Sequence, residues 1–307
     1  MEFNQAVYGK WILAGEHTVL RGGSCLVFPL LSRSVRLHYV EQSPPVGLFR
    51  PSSSALSVEF FGTHGDEYRL LFWGVLERAC EILKVGRHSL KGALEFHGHL
   101  PIGAGLGASA ALCVSVVTWL RHLGFVRPDQ EFALAKKLED VFHGESSGVD
   151  VAAALAAAPL EFKANQEPVR FQINWRPKLY VSYSGKRGVT KECVEKVQRL
   201  AASDPGLFEK IDTLMTSAVT RCQTALQQPA GPESLSLLAD GIESAAECFR
   251  LWLLTEGGLS DHLQQLKAEG AIAVKPTGSG GGGYALSLWD QEPPVHLKNQ
   301  LLSCFGA

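Results

Sequence analysis

"PIGAGLGASAAL", residues 101–112, sets Gly103, Gly105 and Gly107 at alternate positions between a proline and an apolar run. Either a turn here needs torsion angles closed to side chains, or something passes very close to the backbone. The segment before it, "GALEFHGHL" (92–100), alternates like a strand, and "ASAALCVSVVTWLRHLG" (108–124) has the length of a buried helix ended by Gly124. A glycine-rich turn from strand to helix leaves backbone N–H groups unobstructed. The helix behind it adds unpaired donors and its dipole, which together suit an anion, phosphate above all.

Two phosphate motifs compete for the stretch. Gly103, Gly105 and Ala108 fit the dinucleotide fingerprint, but that reading needs an acid ending a second strand about 20 residues on. The distance falls instead in "RHLGFVRPDQE" (121–131), where one helix ends and another begins. No Gly-Lys-Ser/Thr follows, so the P-loop reading fails as well. What remains is a phosphate loop with Ser109 at the head of its helix.

Composition bounds the rest. The chain has 307 residues, 46% hydrophobic and 20% charged, with a formal charge of −2. That is an ordinary globular balance and gives no electrostatic case for nucleic acid. No apolar run is long enough to span a membrane, and the start lacks the basic-then-apolar order of a signal peptide, so a cytoplasmic location is expected. Seven cysteines are scattered singly with no C-x-x-C pair, which reads as free buried thiols and excludes a zinc site of that type.

Along the chain, "KWILAGEH", "SCLVFPL" and "VRLHYV" read as short strands, "PSSSALS" as a surface loop and "DEYRLLFWGVLERACEILKV" as a helix. "PDQEFALAKKLEDVFHG" reads as a helix started by Pro128 and Asp129. "VRFQINW" and "KLYVSYS" look like strands, and three helical stretches follow between 190 and 255. Strand returns with "AIAVKP" and "YALSLW", around "TGSGGGG". Strands in both halves, separated by helices, predict an α+β chain of two lobes with a seam between 160 and 185, divided here as 1–172 and 173–307.

Three further pieces complement the loop. "GKWILAGEHTVL" holds Lys10, Glu16 and His17; taken alone, Lys10 reads as a solvated strand-end lysine and His17 as a turn histidine. Glu139 lies on a helix, and Asp150 follows Ser147 at capping-box spacing. The second glycine run, between two strands, again suggests close approach to a ligand. Jointly they supply phosphoryl transfer: an anion cradle, oxygen ligands for Mg2+ in Ser109 and Glu139, a carboxylate in Asp150 to take a hydroxyl proton, and positive charge from Lys10.

With these residues in place the chain resembles the GHMP kinases, and among them the mevalonate kinases most of all. "YGKWILAGEHTVL" (8–20) matches P-G-K-x-x-L-x-G-E-H-x-V, "PIGAGLGASA" (101–110) matches P-x-G-x-G-L-G-S-S-A, and "KPTGSGGGG" (275–283) matches K-x-T-G-x-G-G-G-G. The resemblance implies an N-terminal lobe of the ribosomal-S5 type, a C-terminal ferredoxin-like lobe and a ligand cleft between them. It implies an ATP-dependent kinase for a small-molecule alcohol, the primary hydroxyl of mevalonate by preference, and it is compatible with a homodimer. Asp150 and Lys10 match the catalytic pair, and Ser109 and Glu139 the Mg2+ ligands. Pro101, Gly103, Ala104, Gly105, Leu106, Gly107, Ala108, Ser109 and Ala110 would hold the ATP phosphates. Lys10, His17, Asp150, Thr190, Gly280 and Gly281 would face the acceptor, and residues 275–283 as a whole would line the same cleft between the lobes.

The chain departs from the pattern at Tyr8 for proline, Ala108 for the first serine of the pair, and Ser146 where mevalonate kinases commonly carry proline. Val19 stands where galactokinases have an aspartate on the sugar, and Asp150 is present where homoserine kinases usually lack the base. Phosphomevalonate kinases would want extra cations; Lys186 and Arg187 are available for that, or read as a solvated loop.

Overall fold

Strand β1 (Glu2–Ala14) alternates in burial over its first half and is buried on both faces over its second. That change marks where the strand leaves the sheet surface and enters the middle of the molecule. It pairs antiparallel with β2 (Cys25–Val40), and the register slips between Tyr8 and Gly9, so that Tyr8 faces Ser34 while Gly9 faces Leu30. The two runs "SCLVFPL" and "VRLHYV", expected as separate strands, are therefore one strand carried across a bulge. Pro29 is tolerated because it lies between the end of the β5 pairing at Val27 and the start of the β4 pairing at Val35.

The computed structural model describes residues 1–41, 56–144 and 146–306. Of the loop expected at 51–57, residues 51–55 lie outside the described residues, and Ser57 already opens a strand, β3 (Ser57–Phe61), which pairs parallel with β4 (Ala93–Gly98). A parallel pair needs a crossover, and helix α1 (Gly65–Leu83) provides it. β5 (Leu160–Phe162) and β6 (Val169–Arg170) complete the first sheet, in the order β3-β4-β2-β5-β6 with β1 beside β2. The strand expected over "VRFQINW" shrinks to its first two residues; Asn174 and Trp175 instead bond to carbonyls at the end of a helix in the second half.

Helix α2 (Ala108–His122) is buried over almost its whole circumference, in keeping with a sequence of mostly apolar and small residues. Helices α3 (Glu131–His143) and α4 (Val149–Ala156) pack against it. Pro128 and Asp129 lie in a separate one-turn 3-10 helix ahead of α3 rather than in its first turn.

The second sheet is antiparallel: β7 (Lys178–Tyr183), β8 (Ala273–Thr277), β9 (Tyr284–Trp289) and β10 (Leu302–Ser303) stand in the order β10-β7-β9-β8. This is the ferredoxin-like order. Between β7 and β8 run α5 (Thr190–Ser203), α6 (Pro205–Gln227), α7 (Pro232–Leu251) and α8 (Gly258–Ala268). Neither β3 nor α8 was expected from the sequence. A single apolar cluster runs from Trp11 and Phe28 through α2 to Met215, Phe249 and Leu288, so the two sheets share one core. Among the described residues no helix is long and apolar enough to cross a membrane.

Candidate active site

The glycine loop of residues 101–107 joins β4 to α2, and all three of its glycines have positive φ: +71° at Gly103, +88° at Gly105 and +73° at Gly107. Gly107 is the N-terminal cap of α2 and has no side chain to satisfy the first-turn amides, which stay directed at the loop's open side. The loop is fastened to β1: the Lys10 amide donates to the Leu106 carbonyl at 2.9 Å. A Cβ on Gly9 would stand 3.0 Å from that carbonyl and 2.5 Å from Leu100 Cδ2. The Gly-Lys of the first motif is thus dictated by the second motif lying across it. Both of the alternatives raised by the glycines hold: the torsions exclude side chains, and other groups approach closely.

Gly107 has the closest neighbours of the three. A Cβ there would stand 2.9 Å from Lys10 Cγ and 3.7 Å from Asp150 Oδ2. Lys10 Nζ meets Asp150 Oδ1 at 3.0 Å, with the lysine side chain 5% exposed and the aspartate 27%. Lys10 is therefore a buried ion-pair partner, not a solvated strand-end lysine. Asp150 is in the first turn of α4, whose cap is Gly148 at φ +84° with no side-chain bond. The expected capping box is absent, since Ser147 Oγ accepts from the Val149 amide at 3.3 Å and the Asp150 carboxylate is turned to Lys10.

Ser146, the departure from proline, bonds to Asp140 through both its amide (2.8 Å) and its hydroxyl (2.7 Å). The approach to α4 is thereby fixed by two donors, neither of which a proline could offer.

On the other side of the loop, Ser109 Oγ donates to Glu139 Oε1 at 3.0 Å, and Glu139 is buried. Both donors are hard oxygens at the head of an anion loop, which suits Mg2+ held by one carboxylate and a hydroxyl with phosphate and water completing the shell. Among the described residues no group of three His, Cys, Asp or Glu side chains could hold a metal alone. An ion held by Ser109 and Glu139 would need further oxygens from a ligand or water to complete its shell.

His17 sits past the end of β1 at φ +61°, buried, with Nε2 donating to the Ser279 carbonyl at 2.9 Å. Burial pushes its pKa down to about 4, so the ring is neutral at neutral pH with the proton on Nε2. Trp252 packs on it edge-on at 4.9 Å. Thr190 is exposed at the start of α5, its hydroxyl 3.3 Å from that of Ser279. His17 and Thr190, remote in sequence, thus meet at one residue, Ser279, which sequence reasoning passed over because a lone serine among glycines carries no local signal.

Gly280 and Gly281 have φ of +80° and +72°. A Cβ on Gly280 would meet Leu254 and Phe249 at 3.0 Å, and one on Gly281 would meet Cys193 Sγ at 2.8 Å. The Gly281 amide is committed to the Leu254 carbonyl at 2.7 Å. Their part is to shape the loop that presents Ser279.

The first residues of the third motif do not line a cleft. Lys275 is fully buried and ion-paired with Glu16, also buried. Thr277 Oγ1 accepts from the Ile12 amide at 2.8 Å and donates to the Ile12 carbonyl at 3.1 Å. These contacts tie the second sheet to the end of β1. The glycine loops then touch: a Cβ on Gly283 would lie 2.8 Å from the Ala104 carbonyl oxygen, and one on Gly105 3.4 Å from that of Thr277.

A family model for the GHMP kinase N-terminal domain matches residues 71–157, from within α1 to just past α4. The fold is the one shared by GHMP kinases, and this stretch of the chain is similar to their N-terminal domain. Among those kinases it is similar to mevalonate kinases. The mevalonate kinase of Pyrococcus horikoshii is 28% identical over 295 residues, covering 91% of this chain and 86% of the relative. The crystal structure of L. major mevalonate kinase in complex with R-mevalonate gives a TM-score of 0.74 at 24% identity, covering 94% of this chain and 88% of that one. Streptococcus pneumoniae phosphomevalonate kinase with phosphomevalonate and AMPPNP gives 0.70 at 16% identity, covering 94% and 93%. The shared fold therefore serves more than one acceptor.

Proposed function

We propose that the chain transfers the terminal phosphoryl group of ATP to the primary hydroxyl of mevalonate, giving 5-phosphomevalonate. One observation carries the reading: Lys10 and Asp150, 3.0 Å apart, stand against Gly107 at the head of the anion loop. A proton acceptor and a cation thereby share a wall with the place where phosphate binds. The curated relatives named mevalonate kinase support the choice of acceptor.

Asp150 takes the proton of the acceptor hydroxyl as its oxygen attacks. Lys10 fixes the orientation of that carboxylate and opposes the charge that grows on the transferring group. The 101–110 backbone, with the first-turn amides of α2, binds the nucleotide phosphates. Ser109 and Glu139 hold Mg2+, which when bound neutralises phosphate charge. His17 and Thr190 form the acceptor side with Ser279, on the loop shaped by Gly280 and Gly281. Most of the acceleration comes from positioning and fixed charge, because phosphoryl transfer needs little covalent help from protein.

In this reading residues 1–172 form the nucleotide-binding lobe and 173–307 the lobe that closes over the acceptor, in a cytoplasmic enzyme. A homodimer is the assembly that light scattering of the purified chain would detect. The deciding experiment is ADP release with MgATP and mevalonate, run beside phosphomevalonate, galactose and homoserine. Turnover with mevalonate alone is expected; turnover with phosphomevalonate alone would move the acceptor assignment, and none with any would sink the kinase reading.

A further inference from the structure

The anion loop has a cation at each end. At Gly107 it is Lys10, already paired with Asp150; at Gly103 it is Arg187, whose Cδ and Nη1 lie 3.8 and 3.9 Å from the position of a Cβ on that glycine. Arg187 comes from the other half of the chain, in the turn between β7 and α5. Its backbone is clamped to the third motif. The Gly283 amide donates to the Lys186 carbonyl at 2.7 Å, and the Ser184 amide donates to the Gly283 carbonyl at 2.9 Å. Gly188 is packed so closely that a Cβ would lie 2.5 Å from the Gly280 carbonyl oxygen. The base of the arm is rigid while its tip is free: the side chain is 64% exposed and its carboxylate partner, Glu67 at the start of α1, is 3.7 Å away.

An exposed pair at that distance contributes little and gives way to a stronger anion. Glu67 is also shared, accepting from His64 Nδ1 at 2.9 Å. A nucleotide lying along the loop presents several negative charges, and a guanidinium matches phosphate oxygens in a forked geometry that lysine lacks. We infer that Arg187 is a polyphosphate-binding residue that exchanges Glu67 for the nucleotide and closes the outer end of the anion loop from the opposite lobe. The inference rests on the nucleotide reading above and adds a contact that the three motifs do not contain. It also assigns Arg187 to the nucleotide rather than to an acceptor phosphate. The Lys10–Asp150 pair marks the acceptor side at Gly107, and Arg187 stands at the other end of the loop.

The test is titration calorimetry of the full chain with ATP, ADP and AMP in the presence of Mg2+, for the wild type and for Arg187→Ala, Arg187→Lys and Glu67→Gln. Arg187→Ala should weaken ATP binding about tenfold, the low end for a charge-assisted contact at an exposed site. AMP should bind as before, Arg187→Lys should recover part of the loss, and Glu67→Gln should bind ATP as well as the wild type or better. The salt dependence of ATP binding should be shallower in Arg187→Ala. Unchanged ATP affinity in Arg187→Ala, an equal loss for AMP, or a matching loss in Glu67→Gln would each overturn the inference. A wild type that fails to bind ATP would instead bring down the nucleotide reading itself, so the two failures are distinguishable. In steady state, a rise in KM for the acceptor without one for ATP would likewise refute the assignment.

Discussion

Removing the Lys275 ammonium should cost more stability than any other single change near the site. Lys275 is 0% exposed and Glu16 2%, so the pair has lost essentially all contact with water. Lys275→Met keeps most of the aliphatic volume but leaves the carboxylate buried without its partner. One Glu16 oxygen already has no hydrogen-bond partner among the described residues, and the other cation that acts on the carboxylate, Lys10, is already paired with Asp150. Breaking a buried pair from one side costs about 3–5 kcal/mol, a large share of the roughly 5–15 kcal/mol by which domains are stable.

The pH dependence is the sharper part of this test. Burial pushes the Glu16 pKa up and Lys275 opposes it, with the net direction upward. In Lys275→Met the opposing cause is gone, and the folded-state pKa rises further above the unfolded value. A carboxyl with a raised folded pKa gives stability that is present below its unfolded pKa and lost as pH rises through the folded one. The deficit of Lys275→Met should therefore be small near pH 4 and large at pH 7. Equilibrium unfolding in urea at several pH values reads this directly, and Lys275→Met with Glu16→Gln should recover much of the loss because a neutral pair need not be solvated. A deficit independent of pH, or a double variant no better than the single, would refute the account.

Other perturbations address the chemistry. Asp150→Asn should lower turnover by about 10²–10⁴-fold, the usual worth of a positioned base, with ATP binding little changed by calorimetry; unchanged turnover would remove Asp150 from the reaction. Gly107→Ala forces a side chain to φ +73° and sets its Cβ 2.9 Å from Lys10 Cγ. It should cost about 1–2 kcal/mol in strain and depress turnover further by displacing Lys10, so a variant with wild-type kinetics would show the contact to be idle. His17, with its pKa held at about 4 by burial, gives stability that is present above about pH 6.5 and lost as pH falls toward 4. The span amounts to about 3 kcal/mol, and His17→Asn, which tolerates the positive φ, should flatten that part of the stability curve relative to the wild type.

What the sequence revealed was what is local. The turn chemistry of 101–107 and the small-residue helix behind it are written in consecutive residues, and so are the long periodic helices of the second half. The misreadings come from partners far apart in the chain. "SCLVFPL" and "VRLHYV" look like two strands because a proline and polar residues separate them, while β1, running alongside both, makes them one. β3 is too short to show periodicity of its own and exists because β4 offers it an edge. Thr277 and Ile12 are 265 residues apart, and no spacing rule reaches across that distance. For the same reason Lys275 and Thr277 read as part of a ligand loop when their hydroxyl and ammonium groups are spent on joining the halves.

That use of the third motif explains why so many chemically distinct groups depend on one strand. Along β1 and just past it, the Lys10 amide fixes the anion loop, Lys10 Nζ holds Asp150, Ile12 carries both bonds to Thr277, Glu16 meets Lys275, and His17 bonds to Ser279. Ser279, with Thr190 beside it, comes from the second half of the chain and the 101–107 loop from the first, and β1 with its extension to His17 touches both. A shift of its second half by even a fraction of an ångström would move Lys10 relative to the loop and His17 relative to Ser279 together. Transfer between two bound molecules tolerates little such misplacement. The buried pair and the threonine bridge hold the end of β1 to the second sheet, so the energy spent on burying Lys275 and Glu16 is recovered as fixed distance between the two halves of the site.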